Sequence, residues 1–208
     1  MKCLRLTWAV RNAVGTRPLF ANFGAVNLPQ LNAIQDLGRI LDSIEADALI
    51  LHLNPMQEVF QPSGDTDWTN IIDHIAQVCA WSPVPVVVKE VGFGLDVQSA
   101  KELASIGVNV LDVAGMGGTR FADIEIALNA EIRQTLSTDN VFDHWGYTTI
   151  ESLGMIKKEL PTMNCWASGG IRNGLDVAKS MCLGASAVGI AGKLLRPATE
   201  STDAVIIA

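Results

Sequence analysis

Residues 166–196, WASGGIRNGLDVAKSMCLGASAVGIAGKLLR, limit the possible fold more than any other stretch. A short apolar segment, 164–167, runs into Ser168-Gly169-Gly170-Ile171-Arg172. Leu175, Ala178, Met181 and Cys182 follow at spacings of three and four, which predicts a helix stopped by Gly184. A second apolar segment, 187–191, ends in Gly192. Strand, glycine turn, helix, strand and glycine turn make one βαβ unit. Both turns follow strand carboxyl ends, where backbone N–H groups and a helix amino terminus can face an anion. In (β/α)₈ barrels the loops after the last two strands hold a phosphate. Arg172 adds a fork suited to phosphate oxygens. The glycines alone would also suit tight connections, but their recurrence on two strands beside an arginine favours the anion site.

The same alternation runs through the rest of the chain. Residues 1–15 predict a short helix with Leu4, Trp8 and Arg11 on one side and Gly15 as its stop. Residues 18–24 predict a buried strand, and 29–44 an amphipathic helix with Pro29 in its first turn. Residues 46–53 form a near-continuous apolar run, as expected of a parallel strand covered on both faces. A polar loop over 54–66 and a helix over 68–81 come next, then a third strand over 85–90. Asp96 is expected to cap a helix that Gly107 ends. A fourth strand, 108–114, leads into Gly115-Met116-Gly117-Gly118-Thr119; helices over 121–133 and 148–160 precede the final βαβ unit. Six β/α units without a linker predict one domain over residues 1–208, a parallel sheet with helices outside. The polar residues cluster after strands, as on the active face of a TIM barrel. A barrel of eight units needs about 250 residues, so a partial TIM barrel of six units is expected.

Composition narrows the partners. The chain has 208 residues, 49% apolar and 18% charged, with a net charge of −7 and no basic cluster. That argues against nucleic acid and anionic membrane, and an anionic ligand would need local N–H groups, single cations or a metal. Cys3, Cys79, Cys165 and Cys182 are scattered without a C-x-x-C pair, which fits buried thiols in a reducing, cytoplasmic compartment. Charges at Lys2, Arg5 and Arg11 break the first apolar runs below the length of a signal peptide or membrane span.

The densest polar cluster at a strand end is His52-Leu53-Asn54-Pro55-Met56-Gln57-Glu58. Glu58 is a hard oxygen donor suited to Mg²⁺, which takes one or two carboxylates with phosphate oxygens and water. Gln57 and Asn54 are neutral groups able to reach a substrate, and His52 is a candidate catalytic group. Spacing alone slightly favours a loop cap at Gln57 and a solvated carboxylate at Glu58, and a lone histidine after an apolar run, such as His52, is usually a satisfied structural group. His74, within a helix, and His144, in a polar connector, carry no signal. Lys89 ends an otherwise apolar strand, where a cation is costly to bury unless paired. Lys89 is in phase with Val87, so it and Glu90 face opposite sides of the sheet. Asp112, mid-strand, suits a structural hydrogen bond or a functional role.

The segments PLFANFGAV, ALILHLNPMQEVFQPSGD, PVVVKEVGFG, VLDVAGMGGT and ASGGIRNGLDVAKSMCLGASAVGIAG resemble the type 2 isopentenyl diphosphate isomerases. These are FMN-dependent TIM-barrel enzymes that interconvert isopentenyl and dimethylallyl diphosphate by a 1,3-allylic proton shift. The resemblance spans nearly all of residues 17–197, and HLNPMQE is its most specific part. It implies a substrate contact at Gln57 and a Mg²⁺ ligand at Glu58. It further implies FMN contacts at Asn22, Lys89, Ala114, Thr119, Gly170, Ile171, Arg172, Ala191 and Gly192. NADPH is implied as the reductant. Family members often carry a hydroxyl residue at the Ala114 position, where only backbone is available here.

The family's diphosphate-binding Arg-Lys segment, its Met-Thr-Gly-Gly loop and its Gly-Ser-Gln-Arg loop are absent from this sequence. The chain is therefore expected to lack the first two strands of the barrel. It is expected to form a homo-oligomer or to pair with a chain supplying them. A non-catalytic or split-barrel remnant is an alternative to the active isomerase. An FMN-dependent α-hydroxy-acid oxidoreductase is another, weakened because residues 115–121 contain no histidine.

Overall fold

The computed structural model describes residues 10–30, 34–129, 132, 142 and 144–207. Leu4, Trp8, Cys3 and Leu31 lie outside these residues, as does most of the stretch 130–143. Helix α1 (Arg11–Val14) precedes strand β1 (Phe20–Gly24), a 3₁₀ turn (Ala25–Gln30) and α2 (Ile34–Ile44). Next come β2 (Ala48–His52), α3 (Pro55–Phe60), α4 (Ile71–Trp81), β3 (Val86–Lys89) and α5 (Val97–Ser105). Strand β4 (Val110–Asp112), α6 (Phe121–Leu128), α7 (Thr149–Glu159), β5 (Cys165–Ala167) and α8 (Gly174–Cys182) follow. Strand β6 (Ala187–Val188), α9 (Gly192–Glu200) and α10 (Thr202–Ile207) complete the order. The six strands form one all-parallel sheet in the order β1-β2-β3-β4-β5-β6, with β1 and β6 at its edges. None of the described helices is long and apolar enough to cross a membrane.

Several local expectations differ from the structure, among them Cys182, expected as a buried thiol and exposed on α8. Of the helix expected over 29–44, Ile34–Ile44 is helical, residues 31–33 lie outside the described residues, and Pro29 lies inside the 3₁₀ turn instead. That turn tucks Ala25, Val26 and Leu28 into the core directly after β1. The loop expected over 54–66 opens with a helix, α3, because Pro55 at its first position has its φ preset for helix and lacks only an N–H that would be unpaired anyway. The helix expected from residue 68 starts at Ile71. Asp96 caps α5 as expected, its Oδ1 accepting from Ser99 N at 2.9 Å. Thr148 and Glu151 close a reciprocal capping box on α7.

Strand periodicity sorts the sheet into two faces. Leu49 and Leu51, Val86 and Val88, Leu111, Cys165 and Ala167 point to the helix side. There they pack with Leu37, Leu41, Ile75, Val78, Leu103, Leu153 and Ile156. The alternate positions make the inner face. Across the strands the register there runs Asn22, Ile50, Val87, Val110, and one rung higher Gly24, His52, Lys89, Asp112, Trp166, Ala187. The sheet curls about this face. Phe20 on β1 and Trp166 on β5 are four strand spacings apart, roughly 19 Å in a flat sheet. Their rings nevertheless stack with centroids 5.4 Å apart. A curled parallel sheet with helices outside and polar groups at the strand ends is an incomplete TIM barrel.

Replacing Leu111, which is 0% exposed at the sheet centre, by Ala is expected to lower unfolding free energy by about 2–5 kcal/mol. Leu195→Ala on the exposed face of α9 is expected to stay within about 0.5 kcal/mol. Urea denaturation followed by far-UV circular dichroism measures both; comparable losses would place the core wrongly.

Candidate functional site

The inner rung at the carboxyl ends of β2, β3 and β4 carries three ionisable groups side by side. His52 pairs in register with Lys89, and Lys89 with Asp112. Each is set there by the alternation that sends Leu51, Val88 and Leu111 to the helix side. His52 Nδ1 donates to Asn22 Oδ1 at 2.7 Å, which leaves Nε2 as the acceptor of a neutral ring. Gly24 has no side chain, so the ring fits against it: a Cβ there would lie 3.1 Å from Nε2. Burial, and then the charge of Lys89, hold the His52 pKa below its ordinary value, with Glu58 opposing.

Lys89 has one acceptor, the Glu90 carbonyl at 2.6 Å from Nζ. It makes no ion pair among the described residues. Burial pulls its ammonium below the usual range, opposed by the carboxylates of Asp112 and Glu90. An ammonium with three donors and one protein acceptor is suited to a ligand bearing acceptor atoms or negative charge. Glu90 points the other way, as expected from strand alternation. Its Oε2 accepts from Val91 N at 2.7 Å and Phe93 N at 2.6 Å, shaping the loop that leaves β3. Burial raises the Glu90 pKa against these N–H donors.

The loops after β4 and β5 pack backbone against backbone. A Cβ on Gly169 would come 2.1 Å from Gly115 O, and one on Gly170 would come 2.7 Å from Gly117 C. Both glycines also have positive φ, 94° and 77°, so nothing larger fits either position without displacing the opposite loop. Thr149, at the start of α7, buttresses the turn by donating to Ser168 O and Gly169 O, both at 2.7 Å. Arg172 was expected to reach a phosphate. Its guanidinium bridges the two loops, donating from Nη2 to Gly117 O at 2.6 Å and from Nη1 to Gly170 O at 3.2 Å. Ile171 is buried beneath the turn, while Thr119 is exposed beyond it. Ala114 is buried and has φ +37°, a conformation costly for a residue with a Cβ.

The turn after β6 lies alongside. Gly189 N donates to Ala167 O at 2.8 Å, and a Cβ on Gly189 would touch Ser168 Cβ at 3.0 Å. Helix α9 then starts at Gly192 with Ala191 as its N-cap and no side chain capping it. The Gly192 and Lys193 N–H groups have no acceptor among the described residues. The Gly170 and Gly192 turns thus follow neighbouring strands and open at the same end of the sheet.

Helix α3 brings the other cluster. Glu58 Oε1 accepts from Asn54 Nδ2 at 2.7 Å, and Oε2 accepts from Asp65 N at 2.8 Å. Asn54 is 4% exposed, and its Oδ1 is buried without a partner. An orphaned acceptor of this kind costs about 1–3 kcal/mol unless a donor arrives. Gln57 Nε2 donates to Glu125 Oε1 on α6 at 3.0 Å. Glu125 was not singled out in the sequence, since one carboxylate in an amphipathic helix carries no local mark. Glu58, Asp65 and Asp67 line an open cleft of about 690 Å³ together with Asn27 and Gln30. No group of three metal-ligating side chains occurs among the described residues.

The profile of the FMN-dependent dehydrogenase family matches residues 32–200. Three relatives named isopentenyl-diphosphate delta-isomerase are similar over almost the whole chain. That of Cronobacter sakazakii is 45% identical over 201 residues, 97% of this chain and 58% of its own length. Those of Rickettsia prowazekii and Nostoc sp. are each 42% identical, over 96% of this chain and 58% and 57% of their own lengths. The chain therefore spans less than two thirds of the curated relatives it matches. Among solved structures, a mandelate oxidase variant aligns with a TM-score of 0.60 over 93% of this chain and 55% of that one. The two are 22% identical, a likeness of fold alone. The profile match covers five of the six strands and both glycine turns, and on it the chain belongs to the FMN-dependent dehydrogenase family.

Proposed function

We propose that this chain carries the flavin and metal side of an isopentenyl diphosphate isomerase site. The reading is supported by the relatives' shared name and, in the structure, by one observation above the others. Lys89, a half-buried ammonium with unused donors, lies at the same sheet end as the start of α9, whose Gly192 and Lys193 N–H groups lack acceptors among the described residues. This donor set fits FMN. The Gly170, Gly192 and Lys193 N–H groups and the α9 amino terminus suit its phosphate, and Lys89 suits a ring that bears acceptor oxygens and nitrogens. Asn22, Thr119 and the Ala114 backbone are the neutral groups assigned to the same cofactor. When bound and reduced, FMN supplies the acid–base group for moving a proton between the two ends of an allylic system, with NADPH as the reductant.

This chain's own residues supply orientation and charge. Glu58 is the assigned magnesium ligand. Each of its oxygens already accepts one hydrogen bond, and a carboxylate has about four acceptor positions. It could therefore give one bond to a magnesium ion, which would take its other ligands from substrate oxygens and water. Gln57, tied to Glu125, and Asn54, with its unpaired Oδ1, are the assigned substrate contacts. His52 is neutral, with Nε2 able to accept a proton. An α-hydroxy-acid oxidoreductase is less well supported, because residues 115–121 offer no histidine beside the flavin site.

The first test is cofactor binding. The purified chain is expected to quench FMN fluorescence on titration, and Lys89→Met to weaken binding at least about tenfold, as removal of a charged hydrogen bond does. Equal affinity of the variant, or no binding by the unaltered chain, would remove the flavin reading. The second test is turnover of isopentenyl diphosphate followed by proton NMR with reduced FMN and Mg²⁺. Glu58→Gln is expected to cut it at least about tenfold. Undiminished magnesium-dependent turnover in that variant would refute the metal assignment. A chain that binds FMN without any turnover would be a flavin-binding remnant.

A further inference from the structure

One inner-rung group has no part in the proposed reaction. Asp112 is 7% exposed and sits opposite Lys89 in the strand register. Its two carboxylate oxygens lie 2.8 and 2.9 Å from Ser168 Oγ, and Oδ1 also accepts from Ala114 N at 3.3 Å. Lys89 makes no direct ion pair among the described residues. The countercharge of the ammonium therefore stands one strand away, steadied by a hydroxyl. Ser168 is also the residue that opens the Gly169-Gly170 turn. Its carbonyl accepts from Gly115 N at 3.2 Å and from Thr149 Oγ1.

Resting on the flavin reading, we propose that Asp112 is a positioning residue: anchored by Ser168, it keeps Lys89 charged and held on the inner face toward the cofactor. Ser168 then links the turn assigned to the phosphate with the charge pair assigned to the ring, through a single side chain. The charged and titratable groups that act on Lys89 are His52 on β2 and Asp112 on β4, both on its face, and Glu90, which follows it in the chain and points to the other side. Glu90 contributes its carbonyl to Lys89, while its carboxylate is taken by the Val91 and Phe93 N–H groups. Asp112 is thus the acid on the same face as the ammonium; burial raises its pKa, and Lys89 and the hydrogen bonds from Ser168 and Ala114 oppose that by favouring its charged form. A purely bracing role is the competing account, since Asp112 also holds the strained Ala114 backbone.

Asp112→Asn separates the two, because it keeps the shape and hydrogen-bonding capacity and removes the charge. The probe is acetylation of Lys89 by acetic anhydride across a pH series in the flavin-free 208-residue chain, read by peptide mass spectrometry. Only the neutral amine reacts. Removing a nearby opposite charge favours the amine, so Asp112→Asn is expected to move the midpoint down by about one pH unit, or about tenfold more labelling below it. Asp112→Glu is expected to return the midpoint toward that of the unaltered chain. An unchanged midpoint in Asp112→Asn overturns the proposal and leaves a brace. Should Asp112→Asn not fold, the double variant Lys89→Met/Asp112→Asn decides, since removing both charges together relieves what removing one leaves unpaired. The double is expected to be more stable in urea than either single, and a double no better than the singles overturns the proposal. FMN titration of the unaltered chain keeps the two readings apart. Absent FMN binding removes the flavin assignment while the Lys89 profile still reports on Asp112.

Discussion

The structure depends on one constraint, the two-residue period of parallel strands that are covered by helices on one side only. Leu49, Leu51, Val86, Val88, Leu111 and Cys165 bury their side chains against α2, α4, α5 and α7. At about 25 cal/mol per Å² of apolar surface, this face is the main source of stability and fixes the register. A slip of one residue would turn every one of these side chains inward. The inner rung of His52, Lys89 and Asp112 is the other half of the same choice. Its polar groups are held in place by apolar neighbours one residue before them, at a cost the helix-side core offsets.

That cost is visible in what the site leaves unpaired. Among the described residues, half-buried Lys89 has one acceptor, buried Asn54 Oδ1 has no donor, and the exposed first N–H groups of α9 have no acceptor. Ala114 adds a strained φ. Local rules broken together at one end of a sheet are the pattern expected where a ligand supplies the missing partners. The opposite charge of Asp112 and the neutral ring of His52 fit the same arrangement: each limits the penalty of Lys89 without using up its donors.

The fold was legible from the sequence because its strands are short apolar runs bounded by glycine, proline and polar residues. The phase of Lys89 with Val87 was legible for the same reason, since it requires only strand periodicity. The local helix α3 was hidden by its shortness, six residues inside a polar stretch, although Pro55 marked its start. The bridging of Gly117 and Gly170 by Arg172 was not legible, because it depends on two loops 50 residues apart in the chain meeting backbone to backbone. The same holds for Gln57 with Glu125 and for Ser168 with Asp112, whose residues gain meaning only when the sheet curls.

The curl also divides the site into two kinds of wall. Between β4 and β5, the glycine contacts, Thr149 and Arg172 lock both loops, so side chains set on them, Ser168 and through it Asp112, keep fixed positions. On the β6 side, Gly192 has no atom within contact distance of a would-be Cβ, and α9 buries none of its residues. The groups assigned to the ring thus stand on preorganised backbone, whereas part of the phosphate contact comes from a helix start that little else fixes. Binding at the second wall gains the most from a charged ligand, since the exposed N–H groups at the α9 start have no acceptor among the described residues. The locked wall can then hold the Lys89 charge at a constant place whatever α9 does, which is the condition for tuning a ring rather than merely retaining it.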